Sequence, residues 1–241
     1  MMAAKNLEVD FLHEIGSRIA AADPLHEVLD RVVAFVSALM KCDSCFIYAL
    51  AGNDLVLRAS KNPHPEVVDR LRLLMGEGIT GWVAQHLKPV AVAQNASEDP
   101  RFRMFRELPE DRYEAFLSVP LLCRGRVVGV INVQHRASHT HSEREIRLIS
   151  TIGFLVGAEV EMARLELENS RLFEQLETRK LVERAKGILQ RETGKSEEEA
   201  YLALQQQSRQ RRKSIKEMAE AVILSEEVKR SPALLPAEKP K

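Results

Sequence analysis

Nothing constrains this chain more than the proline-free stretch from Ser142 to about Gln190, which reads as one long helix. Ser142 with Glu145 spells a Ser-x-x-Glu capping box, a strong helix start. Beyond it the apolar residues fall into a heptad seam, with Leu148, Leu155, Met162 and Leu176 at a and Ala158, Leu165 and Leu172 at d. Thr151 takes one d position and Asn169 one a position. A narrow stripe of this kind brings two helices together, and a single Asn at an a position pairs with its twin and fixes a parallel dimer in register. Gly153 and Gly157 each cost about 1 kcal/mol inside a helix, so its first turns need tertiary support. At about 1.5 Å per residue the helix would span roughly 70 Å, too long for one globular domain, so it is expected to join two. The plainer alternative is a core helix with a charged tail.

Among 241 residues, 45% are hydrophobic, enough for a proper core, and Lys+Arg and Asp+Glu stand at 35 each, so the distribution of charge matters more than its sum. With no 18-residue apolar run and no signal-peptide pattern at Met1–Val9, the expected location is cytoplasmic, with no membrane partner. Three cysteines suit a reducing compartment.

Before the long helix the pattern is mixed. Phe11, Ile15 and Ile19, then Leu25, Val28, Leu29, Val32 and Val33, recur at helical spacing around an Asp23-Pro24 break. Cys45–Leu50 and Leu55–Ser60 read as a hairpin, Glu66–Met75 as a helix, and Trp82 as the start of a short one. Val90–Ala93 reads as a strand, Gln94–Leu108 as a polar loop, and Ala115–Leu122 with Arg126–His135 as a second hairpin around Arg124-Gly125. The sum is an α+β domain around an antiparallel sheet.

Two motifs are set aside. Gly76-x-Gly78-x-x-Gly81 spells a dinucleotide fingerprint, which works only between strand and helix of a βαβ unit; a helical segment before it and an antiparallel meander after it leave tight-turn glycines. Cys42-x-x-Cys45 with Cys123 falls one ligand short of a closed zinc or iron–sulfur site, which His139 or His141 could complete only by coming close in space. Core packing is the simpler role for a cysteine opening an apolar strand, so no metal is expected. Without a Ser-His-Asp arrangement in recognisable context, no enzyme is expected either.

The segments Gly76–Ala84, Lys88-Pro89-Val90, Asp99-Pro100-Arg101-Phe102, Ser118-Val119-Pro120-Leu121 and Gly129-Val130-Ile131-Asn132-Val133 resemble GAF domains, in order, over roughly Leu7 to Met162. The resemblance implies a sensor with a pocket on one sheet face and helices on the other, for a small-molecule ligand whose identity the fold leaves unknown. Strand alternation makes Phe46, Tyr48, Ser118, Asn132 and Gln134 candidate lining, with Asn95 and Asp99 from the loop. The competing reading is that Tyr48, Ser118 and Asn132 satisfy each other or the backbone.

Past Met162 the aromatic residues nearly vanish and charge rises. Val182, Ala185 and Leu189 share a face of a first helix stopped at Gly194. Ser196 with Glu199 and Ser214 with Glu217 start two more, the last carrying Ile215, Met218, Ala219, Val222 and Ile223 at helical spacing. Such stripes bury only against each other, giving a marginal three-helix bundle; from residue 227 the chain reads as a disordered tail. Glu197, Glu198 and Glu199 sit at a helix N-terminus, while bases concentrate on the first helix and from Arg209 to Lys216.

Glu183-Arg184-Ala185-Lys186-Gly187-Ile188-Leu189, then Ser196-x-x-x-Ala200-Tyr201-x-x-Leu204, Ser208 and Ile215-x-x-Met218-Ala219, resemble an ANTAR domain over about Leu172 to Leu224. The resemblance implies a module that binds paired RNA hairpins in leader transcripts and prevents a terminator from forming. Expected RNA contacts are Lys180, Arg184, Ala185, Lys186, Gly187, Tyr201, Ser208, Arg209, Arg211, Arg212 and Lys213, with Ala185 and Tyr201 equally suited to the bundle core. Tyr201 is the only aromatic residue after Phe173, so phosphate contacts should outweigh base stacking.

The expected architecture is an α+β GAF domain over 7–160, a coiled-coil linker helix over 143–180 and an all-α ANTAR bundle over 172–226. The expected function is a homodimeric, signal-responsive antitermination regulator, joined through the coiled coil and the GAF helices. A DNA-binding helix-turn-helix regulator and a protein-interaction scaffold are the alternatives.

Overall fold

The computed structural model of the protein describes residues 9–10, 13–17, 21, 24–61, 65–103 and 113–230. Phe11 and Ile19, and the tail beyond Arg230, lie outside these residues. The chain divides into two compact units, Met1–Leu165 and Glu166–Lys241.

The first unit is built on six antiparallel strands: β1 (Ser44–Ala51), β2 (Asp54–Ser60), β3 (Arg72–Leu74), β4 (Val90–Val92), β5 (Ala115–Cys123) and β6 (Arg126–His135), in the order β3-β2-β1-β6-β5-β4. Both expected hairpins form. Arg124 (φ 50°) and Gly125 (φ 75°) make the tight β5–β6 turn, where two positive φ angles match the twist of the strands. Alternation then sends Cys45 and Ile47 to one face and Phe46 and Tyr48 to the other. The first face is covered by α1 (Leu25–Met40), through Val32, Val33 and Val36, and by the early turns of α3 (Glu143–Thr193), through Ile149, Ile152, Val156 and Val160. The second face packs Phe46, Tyr48, Phe116 and Val130 against Ile79, Val83 and Ala84 of α2 (Gly78–His86).

The expected helix over Glu66–Met75 is not formed. A 3-10 turn at Pro65–Val67 leads through Asp69, at φ 64°, into edge strand β3. Leu71 and Leu73 are buried while Arg72 and Leu74 are exposed, a period of two that the apolar spacing of Val67 and Leu71 disguised as a helical turn. The glycine motif is therefore preceded by a strand, contrary to expectation. β3 and β4 nevertheless lie at opposite edges of an antiparallel sheet, so the helix between them closes no βαβ unit. Gly76 and Gly78 serve the turn with positive φ, whereas Gly81 lies within α2, which starts at Gly78 rather than at Trp82, and a Cβ there would lie 2.5 Å from the Leu74 carbonyl.

Ser142 caps α3 as read. Its hydroxyl accepts from the Glu145 N–H (3.3 Å) and the Glu145 carboxylate accepts from the Ser142 N–H (2.6 Å). The support that its glycines need comes from β5: a Cβ at Gly157 would lie 2.7–2.9 Å from the Leu122 backbone, and one at Gly153 3.0 Å from the Pro120 carbonyl. Of the seam, Leu148 is half-buried against the sheet-side core, whereas Met162, Leu165, Leu172 and Leu176 are 46–55% exposed and Asn169 is exposed.

In the second unit α3 is followed by α4 (Glu197–Arg211) and α5 (Ile215–Arg230). The Ser196 and Ser214 boxes form, and Gly194 (φ 68°) follows the last residue of α3. Val182, Ala185, Ile188, Leu204, Met218, Ala219 and Ile223 make the core. Residues 227–230, expected in the tail, are instead the last turn of α5, where Arg184 bonds Glu227 (2.7 Å) and Lys229 bonds Glu192 (2.9 Å).

Candidate functional site

On the α2 side of the sheet, cross-strand pairing brings four of the expected pocket residues together: Phe46 lies opposite Asn132, Ser118 opposite Asn132 and Phe116 opposite Gln134. The Ser118 hydroxyl donates to Asn132 Oδ1 (2.7 Å), and Asn132 Nδ2 donates to the Thr80 hydroxyl of α2 (2.8 Å). All three residues are buried. This chain satisfies Ser118 and Asn132 internally, the competing reading for that pair, and ties α2 to the sheet. Thr80 is the member that the sequence did not disclose. Gln134 Oε1 is buried and has no hydrogen-bond partner. Tyr48 is fully buried, which pushes its phenol well above the usual range.

Asn95 and Asp99 lie apart from that network, on the loop after β4. Asn95, at φ 52°, is exposed and bonds Glu98. Asp99 holds the Arg101 guanidinium through two contacts (2.8 and 2.7 Å), which keeps its carboxyl below the usual carboxylate range. Arg101 lies over the Trp82 ring, 4.9 Å from its centroid, so the pair fastens the loop to α2.

In the bundle the cations divide into two groups. Lys186 is largely covered, its ammonium between Glu183 (2.9 Å) and Glu197 (2.7 Å), which raises its pKa, Glu197 first. Arg184 pairs with Glu227, Lys180 with Glu177 and Lys213 with Glu217. The separation of acids from bases seen along the sequence therefore does not persist in space: helices α4 and α5 return carboxylates to bases of α3. Ala185 is fully buried in the core, and Gly187, two residues on, is half-buried. Ser208 gives its hydroxyl to the Lys213 carbonyl (2.6 Å) in the α4–α5 turn, where Arg212 takes φ 54°. Arg211 bonds Gln207, and Arg209 is exposed on the last turn of α4.

The second group surrounds an open cleft of about 550 Å³, lined by Arg171, Arg179 and Lys216 beside Glu174, Glu183 and Tyr201. Tyr201 is 41% exposed there, so its ring is not consumed by the core. Arg171, Arg179 and Lys216 were not among the expected contacts. Tyr201 was, and its spacing to Arg179 across two helices is what sequence could not supply.

The comparisons with known proteins agree with this division. The GAF domain family matches residues 24–160 and the ANTAR domain family residues 170–223. The chain belongs to the GAF family and carries an ANTAR domain behind the GAF domain. Its fold is similar to the crystal structure of the GAF domain from an Acinetobacter phosphoenolpyruvate-protein phosphotransferase, at 30% identity and a TM-score of 0.61, covering 66% of this chain and 96% of that one. A phosphoenolpyruvate-dependent phosphotransferase system protein of Escherichia coli K12 is 28% identical over 160 residues, 64% of this chain and 21% of that protein. The transcriptional regulatory protein PdtaR of Mycobacterium tuberculosis H37Rv is 45% identical over 76 residues, 32% of this chain and 37% of that protein. The chain thus spans about a fifth of the E. coli relative and little more than a third of PdtaR. No helix among the described residues is long and apolar enough to cross a membrane.

Proposed function

We propose that the protein is a cytoplasmic, homodimeric antitermination regulator, not an enzyme, whose ANTAR bundle binds paired hairpins in leader RNA under control of its GAF domain. The observation that carries this reading is the cleft in which exposed Tyr201 stands beside Arg171, Arg179 and Lys216, within the ANTAR match. Guanidinium and ammonium groups there would neutralise phosphates, and the phenol ring offers a face to one splayed loop base. The exposed bases Arg209, Arg211 and Arg212 extend the contact across the α4–α5 turn. Dimerisation is supported by the exposed apolar stripe of Met162, Leu165, Leu172, Phe173 and Leu176 on α3, with Asn169 in its line. Helix α3 enters both family matches, which supports it as the route by which a signal would pass. The α2 side of the GAF sheet, around Phe46, Tyr48, Ser118, Asn132 and Gln134, is where a small ligand would bind, with the unpartnered Gln134 Oε1 as its polar contact.

The test is selection of the full chain against a library of paired RNA stem-loops with randomised loops, followed by binding titrations at several salt concentrations. Enrichment of two-hairpin RNAs over duplex DNA, with affinity falling steeply with salt, is expected. Equal binding to duplex DNA would favour a helix-turn-helix regulator, and no nucleic-acid binding would leave the scaffold reading.

A further inference from the structure

His135 ends β6, and His139 and His141 follow in the connection to α3, just before the Ser142 cap. The three imidazoles converge. His135 and His139 stack with centroids 4.1 Å apart, and the His141 ring lies 4.7 Å from His139 and 5.3 Å from His135. One ring nitrogen from each lies within 4.8 Å of the others. His135 and His141 are 6% and 8% exposed. His135 Nε2, His139 Nε2 and both nitrogens of His141 are buried without a hydrogen-bond partner. Four orphaned polar atoms in one spot are costly, and native structures rarely leave such groups without a use. The backbone holds the rings there independently: the His139 N–H donates to the Ala93 carbonyl (2.9 Å), and the Arg136 N–H donates to Asp43 (2.8 Å).

We propose that His135, His139 and His141 bind a single divalent transition-metal ion, zinc in the first instance, at the junction between β6 and α3. Imidazole nitrogens suit zinc and its neighbours among the late first-row metals. Zinc holds nitrogen at about 2.0–2.1 Å, so a tetrahedral site places its ligand nitrogens roughly 3.4 Å apart. The present separations, up to 4.8 Å, therefore have to close by up to about 1.4 Å on binding. Glu145 Oε1 lies 3.6 Å from His139 Nε2, while the other oxygen of that carboxylate is held by Ser142, so one anionic oxygen faces the site. Three imidazoles leave the fourth tetrahedral position to this Glu145 oxygen or to water. The bound ion would fasten the end of the last strand to the cap of the helix that leads to the ANTAR domain. The site requires nothing of the RNA-binding reading and stands or falls separately.

The experiment uses the untagged full chain, stripped with chelator and titrated with zinc sulfate against a chromophoric competitor, then with cobalt(II) for its visible spectrum. One zinc per chain, a tetrahedral cobalt spectrum without thiolate charge transfer, and a raised melting temperature are expected. His139→Ala, at the most exposed of the three rings, should weaken zinc binding by more than about 100-fold, beyond what loss of an outer-shell partner costs. His139→Asp, which returns a ligand oxygen, should recover part of it. No stoichiometric uptake overturns the proposal. So does uptake that His139→Ala leaves unchanged, or a thiolate band assigning the metal to Cys42 or Cys45.

Discussion

At Asn132 a single amide joins two strands and a helix. Replacing Ser118 by Ala deprives Asn132 Oδ1 of its donor in a buried place, and unfolding by urea should show a loss of about 1–3 kcal/mol. No loss would mean that the amide finds another partner. In the bundle, two lysines separate by their surroundings. Lys216 lies on the cleft, so Lys216→Ala should flatten the dependence of log affinity on log salt by about one unit. Lys186 is bound to Glu183 and Glu197, so Lys186→Ala should lower the melting temperature and leave that slope unchanged. Equal slopes in the two variants would contradict the assignment. Tyr201→Ala should weaken hairpin binding by about 1–3 kcal/mol, the worth of one base–aromatic stack. What the sequence disclosed at this scale were partners on one strand pair, such as Ser118 with Asn132. Contacts made across elements stayed hidden: Thr80 reaching Asn132 from α2, Glu197 reaching Lys186, and His135 meeting His139 and His141 where a strand has ended and periodicity no longer applies.

Among elements, α3 shows why glycine stands where helix propensity forbids it. Alanine at 157 would gain about 1 kcal/mol of propensity but would press a methyl into the Leu122 backbone. Gly157→Ala should therefore destabilise the GAF domain by about 1–3 kcal/mol, measured by thermal or urea unfolding; a more stable variant would contradict the close packing of helix on strand. All three capping boxes, both long hairpins and the bundle were legible because each is written in local spacing. The Glu66–Met75 segment was not, because an edge strand of three residues offers too few alternations to outweigh one helical interval. Its identity as β3 comes from β2, which supplies the pairing.

For the whole molecule, the proposed function requires that two chains join along α3 and present two ANTAR domains to one RNA. Leu165, Leu172 and Leu176 are exposed and would form the seam, and Asn169 would set its register. Leu165 is the last residue of the GAF-containing unit, so a proline there breaks the helix at the unit boundary without entering the sheet core. The most direct measurement is sedimentation of the full chain and of Leu165→Pro, each alone and with a two-hairpin RNA obtained by selection. The account predicts that the unaltered protein sediments as a dimer holding one RNA, and that Leu165→Pro keeps a folded GAF domain but loses both the dimer and the RNA. A monomer that binds the RNA as tightly as the unaltered protein does would contradict it.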